Sequence, residues 1–294
     1  MKIVFRTYDS SYYDMVCYFL INLSKDNRTH INWNWARWEW MVFHPEFQNN
    51  LADRIGLWFS STSNELVGMT TFDHYFGEAF YAVKKGYEEL EKEILGYALN
   101  NFSNETGLGI AVNDYDSHTI DFLVSNGFVM NDNAENILES NLESNSFDYS
   151  LPKGIRTKSL NTKTDLYKHQ KVLWEGFEND GDLPDDEKTI NEQKRMLSAP
   201  HLNSYIHIVA EKEDGEYVAY CGCWFNSNTD YAYVEPVCTI PGYRKKGIGQ
   251  AVLLEALKRC YTLGAKKAYV IADQSFYKSL GFVDHSHFHF YWHY

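Results

Sequence analysis

The sequence predicts an α/β protein of two tandem domains in which strands alternate with helices, and three observations carry that prediction. The chain has 294 residues, enough for two cores at about 100–200 residues each. An apolar strand, Val237–Ile240, runs into the basic glycine loop Pro241-Gly242-Tyr243-Arg244-Lys245-Lys246-Gly247-Ile248-Gly249-Gln250 and then into a helical pattern. Landmarks also recur in one order in both halves. Lys85-Gly86-Tyr87 answers to Pro241-Gly242-Tyr243, Ser125-Asn126-Gly127-Phe128 to Ser279-Leu280-Gly281-Phe282, and Arg6-Thr7 to Arg156-Thr157. Gly86 and Gly127 lie 41 positions apart, Gly242 and Gly281 39, a spacing that argues for duplication.

The elements follow from pattern. Ile3–Tyr8 and the segment around Arg156-Thr157 each precede a helical stretch. The polar, Asn/Ser/Glu-rich Asn131–Ser150, ending at Leu151-Pro152-Lys153-Gly154, reads as the joint, dividing the chain into domains of residues 1–150 and 151–294. In the second copy, Leu166, His169, Val172, Leu173 and Phe177 recur three to four apart, which predicts a helix over Asp165–Phe177. Tyr205–Glu211 and Tyr217–Phe225 are β-rich runs about the turn Lys212-Glu213-Asp214-Gly215. Tyr231–Ile240 is the next strand. Gln250–Leu263 places Val252, Leu253, Ala256, Leu257 and Cys260 on one helical face and stops at Gly264. A strand at Ala268–Ala272, a short helix at Gln274–Leu280 and a strand at Phe282–His293 complete the order.

Composition narrows the function. Asp and Glu outnumber Lys and Arg by 40 to 27, a net charge of −13, which argues against nucleic acid and anionic membrane as partners. No run approaches the ~20 apolar residues of a membrane helix, and Lys2–Arg6 is too short for a signal sequence. Five scattered cysteines do not suggest a disulfide framework, so the chain reads as cytoplasmic.

Against that acidic background the loop stands out. A strand ending in a basic G-x-G turn presents backbone N–H groups and the positive end of a helix dipole to an anion, and its glycines permit close approach. The ligand is therefore phosphorylated. No Lys-Ser or Lys-Thr follows the glycines, so this is not a Walker loop, and Val252 stands where a dinucleotide fingerprint needs its third glycine. Arg244-Lys245-Lys246-Gly247-Ile248-Gly249 resembles the [QR]-x-x-G-x-[GA] pyrophosphate loop of the GNAT acetyltransferase superfamily. Phe276-Tyr277-Lys278-Ser279-Leu280-Gly281-Phe282 is similar to that superfamily's closing tyrosine segment. Together they span roughly the last 65 residues.

The resemblance implies two GNAT-like domains, each a mostly antiparallel mixed sheet flanked by helices, with acetyl-CoA as co-substrate of the second. It assigns the cofactor to Val237, Cys238, Thr239, Arg244, Lys245, Lys246, Gly247, Ile248, Gly249 and Gln250, with Val237 and Thr239 pairing to the pantetheine arm from a bulged strand at Pro236. It implies that Tyr277 protonates the departing thiolate and that Glu235 takes the proton of an attacking amine. The stretch Ala272-Asp273-Gln274-Ser275 lacks the asparagine common there in the family. The first copy is degenerate: shifted by 156 residues, Gly247, Gly249 and Arg244 fall on Glu91, Glu93 and Glu88, which repel a pyrophosphate.

Other clusters have plainer readings. Trp33, Trp35, Trp38 and Trp40 form an aromatic group that fits a core or a domain interface; Trp35 and Trp38 are the rings that would line an acceptor pocket. His285, His287 and His289 alternate along one face of a half-exposed strand, and Cys221 and Cys223 pack, so no metal is expected. The expected activity is transfer of the acetyl group to a primary amine of a small molecule or peptide by direct attack. The alternatives are an inactive acyl-CoA-binding sensor or scaffold, and a transferase using a longer acyl-CoA.

Overall fold

Runs of β-branched and aromatic residues form the strands and amphipathic stretches form the helices, in an order that repeats. The computed structural model describes residues 2–26 and 28–294. In the first repeat the order is β1 (Ile3–Thr7), α1 (Tyr13–Asp26), α2 (Trp35–Phe43), β2 (Gly56–Ser60), β3 (Leu66–Phe72), β4 (Glu78–Val83), α3 (Glu91–Phe102), β5 (Leu108–Asn113), α4 (Ser117–Ser125) and β6 (Val129–Asn141). The second repeats it: β7 (Ile155–Ser159), α5 (Leu166–Gly176), α6 (Glu187–Met196), β8 (Ile208–Lys212), β9 (Tyr217–Phe225), β10 (Tyr231–Thr239), α7 (Ile248–Thr262), β11 (Lys267–Ile271), α8 (Ser275–Lys278) and β12 (Val283–His293). No described helix is long and apolar enough to cross a membrane.

The chain packs as two compact units. One comprises residues 1–42, 46–137 and 285–294, the other 43–45 and 138–284. The sequence placed the division near residue 150. By packing it falls between Ile137 and Leu138, because the polar stretch read as a joint contains the 13-residue strand β6. Residues 285–294, last in the second repeat, pack in the first unit, where β12 pairs antiparallel with β5 from Phe288↔Asn113 to His293↔Leu108. Helix α6, begun by the Asp186 side chain accepting from Thr189 N–H, has no counterpart in the sequence reading.

In the first unit β1 to β4 form an antiparallel meander and β5 joins β4 in parallel. Its core takes the tryptophans: Trp33, Trp35 and Trp38 are all buried, and Trp33 stacks on Phe80 at 4.1 Å. Trp35 and Trp38 thus serve packing rather than a pocket wall. Arg37 lies among them, paired with Asp73 (3.1 Å) and Glu135 (2.9 Å) and set over the Phe80 ring at 4.8 Å. A buried guanidinium persists only when its charge and donors are matched in this way.

In the second unit β7 to β10 are antiparallel and β11 joins β10 in parallel. Within each unit the strand pairing is therefore mixed and mostly antiparallel. Helix α7 buries Ile248, Val252, Leu253, Ala256, Leu257 and Cys260 on one face of that sheet. Val172 of α5 packs with Val209, Tyr217, Tyr220 and Cys238 in a separate cluster. At about 25 cal/mol per Å² of apolar surface, each such fully buried Leu or Val contributes roughly 1.5–3 kcal/mol. That burial holds the ends of β10 and α7 in register.

Candidate functional site

The site begins where β10 loses a neighbour. It pairs with β11 only at Tyr231–Tyr233, opposite Lys267–Tyr269. On its other edge the ladder with β9 shifts register between Val234 and Val237, at Glu235 and Pro236. The proline has no N–H for a ladder bond, so the strand bulges there. The Glu235 carbonyl leaves the ladder and accepts the Trp224 indole N–H at 2.9 Å. Gly222 makes room: a Cβ there would lie 2.7 Å from that carbonyl.

Beyond the bulge one edge of β10 stays open. Ile240 N–H donates to Val218 O at 3.0 Å, toward β9. Backbone groups alternate edges along a strand, so Cys238 also addresses β9, while Val237 and Thr239 turn theirs to the edge that β11 has left. Cys238 directs its thiol to α5, 3.4 Å from Val172 O, and burial pushes it up to about 12. Gly176 permits that contact, since a Cβ there would sit 2.8 Å from the Cys238 Sγ.

The loop then turns into α7. Lys245 and Gly247 take left-handed conformations, φ 58° and 77°, and Gly247 starts the helix without a side-chain cap. Ala251 N–H donates to Gly247 O at 3.0 Å and closes the first turn, so the N–H groups before it have no acceptor within the helix. Gly249 sits against the strand: a Cβ would come within 2.8 Å of Thr239 Oγ1. Lys246 reaches back to Gly242 O (2.7 Å), and Lys245 is exposed with no ion pair among the described residues.

Arg244 does something the sequence did not suggest. Its guanidinium donates to Thr239 O (2.9 Å), Gly176 O (2.8 Å) and the Glu178 carboxylate (2.6 Å). It ties the end of β10 to the end of α5, where a cation also suits the helix dipole. Its side chain is a strut.

Between these elements and α8 lies a cleft of about 550 Å³. It brings together Val237, Cys238, Thr239, Arg244, Lys245, Gly247, Ile248, Gly249, Gln250 and Tyr277 from the sequence reading. It adds Gly176 and Gln274, and with them Phe276, Ser279 and Leu280 of the closing tyrosine segment; only Gly176 lies outside any stretch the sequence reading singled out for the site. Tyr277 is buried, ring to ring with Phe276 and Phe282, and its hydroxyl makes no hydrogen bond among the described residues. Burial raises its pKa well above the ordinary value, with smaller contributions from Cys221 and Glu235. Lys246 and Glu235 do not line the cleft. Glu235 lies in the bulge, half-buried, with its charge felt at Tyr277.

Behind the bulge is a buried polar group that sequence reasoning missed. Tyr220 OH meets His207 Nδ1 at 2.6 Å, and His169 of α5 stands edge-on to the Tyr220 ring at 4.6 Å. Burial lowers the pKa of His169 to about 4 and of His207 to about 3, the latter helped by His169. Elsewhere, His289 pairs with Asp114 at 2.6 Å, and Cys221 and Cys223 lie side by side in the core, 4.0 Å apart.

The cleft suits a nucleotide pyrophosphate with an extended amide arm. The uncapped helix start, the left-handed Gly247 and the close seat of Gly249 form a cradle that side chains would fill.

Comparison with known proteins bears on the fold and on the family of the second repeat. Residues 164–282 match the acetyltransferase (GNAT) family. No curated protein matches the sequence. A tandem GNAT protein from the clavulanic acid biosynthesis pathway superposes with TM-score 0.67 at 12% identity, covering 99% of this chain and 98% of that one. A GCN5-related N-acetyltransferase from Sphaerobacter thermophilus gives 0.61 at 11%, covering 98% and 94%. Saccharomyces cerevisiae N-myristoyltransferase gives 0.57 at 12%, covering 98% and 77%. The family match places residues 164–282 among acyltransferases. More particularly, the match falls on that segment, and the chain as a whole has the fold of a tandem GNAT protein.

Proposed function

We propose that the protein is an N-acetyltransferase that moves the acetyl group of acetyl-CoA to a primary amine by direct attack, using the cleft of the second unit. The observation that carries this reading is the open edge of β10 beside an uncapped glycine helix start. The N–H groups ahead of Ala251, with Lys245 at the rim, hold the pyrophosphate. Val237 and Thr239 pair with the amide arm. Acetyl-CoA supplies an activated carbonyl whose carbon–sulfur bond breaks as the new carbon–nitrogen bond forms.

The chain's residues handle the protons. Tyr277, kept protonated by burial, donates its hydroxyl proton to the leaving thiolate. Glu235 takes the ammonium proton before attack through water, since its carboxylate lies outside the cleft lining. Backbone N–H on the free edge of β10 polarises the thioester carbonyl. The first unit carries no such machinery: residues that match Gly247 and Gly249 are Glu91 and Glu93, and Leu123 matches Tyr277 by its turn bonds. It binds no cofactor, and the acceptor is a small molecule or peptide.

Thiol release from acetyl-CoA, followed with a panel of amines, tests this reading. Tyr277→Phe is expected to lower turnover by up to about 10²-fold with little change in cofactor affinity. Tight acetyl-CoA binding without thiol release from any amine would instead favour a sensor. Faster release from a longer acyl-CoA would reassign the donor.

A further inference from the structure

The first unit keeps the groove and inverts its chemistry. β4 runs parallel to β5 only at Glu78 and Ala79, and then the two part. Lys84 N–H donates to Val67 O at 2.8 Å, so Tyr81 and Val83 turn their backbone groups to the opened edge, as Val237 and Thr239 do. The bonds Tyr87 N–H to Lys84 O and Phe128 N–H to Leu123 O reproduce Tyr243 to Ile240 and Phe282 to Tyr277. At this groove lies a cavity of about 970 Å³, larger than the cleft of the second unit.

Carboxylates occupy the place of the glycine cradle. Glu88 accepts the Gly86 N–H at 2.8 Å, and Glu91, at the head of α3, pairs with His118 Nε2 at 3.0 Å. A helix start already faced by its own carboxylates repels a phosphate. Asp14, Glu65 and Asp116 also line the cavity, against Lys25, Lys84 and Lys85, and Lys84 is held by Glu65. The wall given by α1 carries an exposed apolar patch between Asp14 and Lys25: Met15 and Tyr18 line the cavity while 38% and 64% exposed, with Leu66 and Val83 also in the lining.

We propose that this groove is a binding site for an organic cation, an ammonium group carried on a flat apolar body. The ammonium sits among the carboxylates and the body lies on Met15 and Tyr18, whose ring also attracts a cation through its face. A cavity lined by five carboxylates and three lysines, with an exposed apolar patch, complements that class better than a phosphorylated one. The site is separate from the cleft that transfers the acyl group, so it holds whether or not that reaction is N-acetylation.

Tryptamine is the probe, titrated calorimetrically into the full chain with coenzyme A saturating. One tryptamine per chain is expected, with affinity falling as salt rises. Glu88→Gln and Tyr18→Ala should each weaken it at least about fivefold and leave coenzyme A affinity unchanged. Tyr18 is mostly exposed, so its truncation reports on the site rather than on folding. The neutral analogue 3-ethylindole should not bind. Absent binding, binding indifferent to both variants, equal binding of 3-ethylindole, or uptake of a second coenzyme A would each overturn the proposal.

Discussion

His169→Phe should make the second unit more resistant to acid. His169 and His207 are each only 1% exposed, and neither ring nitrogen of His169 has a hydrogen-bond partner among the described residues. Folding holds both imidazoles neutral, with pKa values of about 4 and about 3 against the ordinary 6.5. Since the folded values are depressed, the unfolded chain binds more protons. Stability is therefore fully present above pH 6.5 and is lost as pH falls toward the folded values. At pH 5 the linkage amounts to about 2 kcal/mol for each ring, about 4 kcal/mol together. Removing one ring should halve that loss. At pH 7.5 the same substitution should be neutral or stabilising by about 1 kcal/mol, because it takes away a buried polar group that has no bond to lose. Urea unfolding between pH 5 and 7.5, following the transition that acetyl-CoA shifts, measures both quantities. A variant that is less stable at pH 7.5 and keeps the wild-type dependence on pH would refute the reasoning, and would mean that His169 holds a bound partner.

Three further outcomes are expected. Lys245→Glu should weaken acetyl-CoA about tenfold or more by calorimetry without changing the unfolding midpoint, as the side chain is exposed and has no ion pair. Arg244→Ala should cost about 1 kcal/mol of stability in urea, a modest figure because the group is 41% exposed, and Arg244→Lys should not restore it, since an ammonium lacks the fork that spans three acceptors. Gly249→Val should abolish cofactor binding while the fold survives, because the new side chain enters both the cleft and the space beside Thr239 Oγ1; retained affinity would show that the cradle lies elsewhere.

Much of the second unit was legible because its chemistry is local. Gly247 needs a positive φ, Gly249 needs contact with Thr239, and both needs are written within a dozen residues. The duplication was legible for a similar reason: turn bonds such as Tyr87 to Lys84 and Tyr243 to Ile240 depend on short motifs that survive divergence. What stayed hidden depends on distant partners. Arg244 reads as a phosphate ligand until Gly176 and Glu178 are brought beside it. His169 and His207 gain meaning only through Tyr220 between them. The polar composition of β6 hid a strand, because its pattern of exposure does not alternate cleanly between apolar and polar residues.

The placement of β12 bears on how the protein is made. Its partner in the first unit, β5, leaves the ribosome long before it: Asp114 and His289, which meet at the end of that ladder, are 175 residues apart. At about 5–20 residues per second, β5 waits on the order of ten to thirty seconds for its neighbour. During that interval the edge that β12 will cover is free and can pair with another nascent chain, while the opposite edge is held by β4 only at Gly109 and Ile110. The first unit, although synthesised first, becomes complete only after translation has passed through the whole of the second. Slow translation of the 3′ half of the message should therefore lower soluble yield, and a chaperone that shields strand edges should restore it.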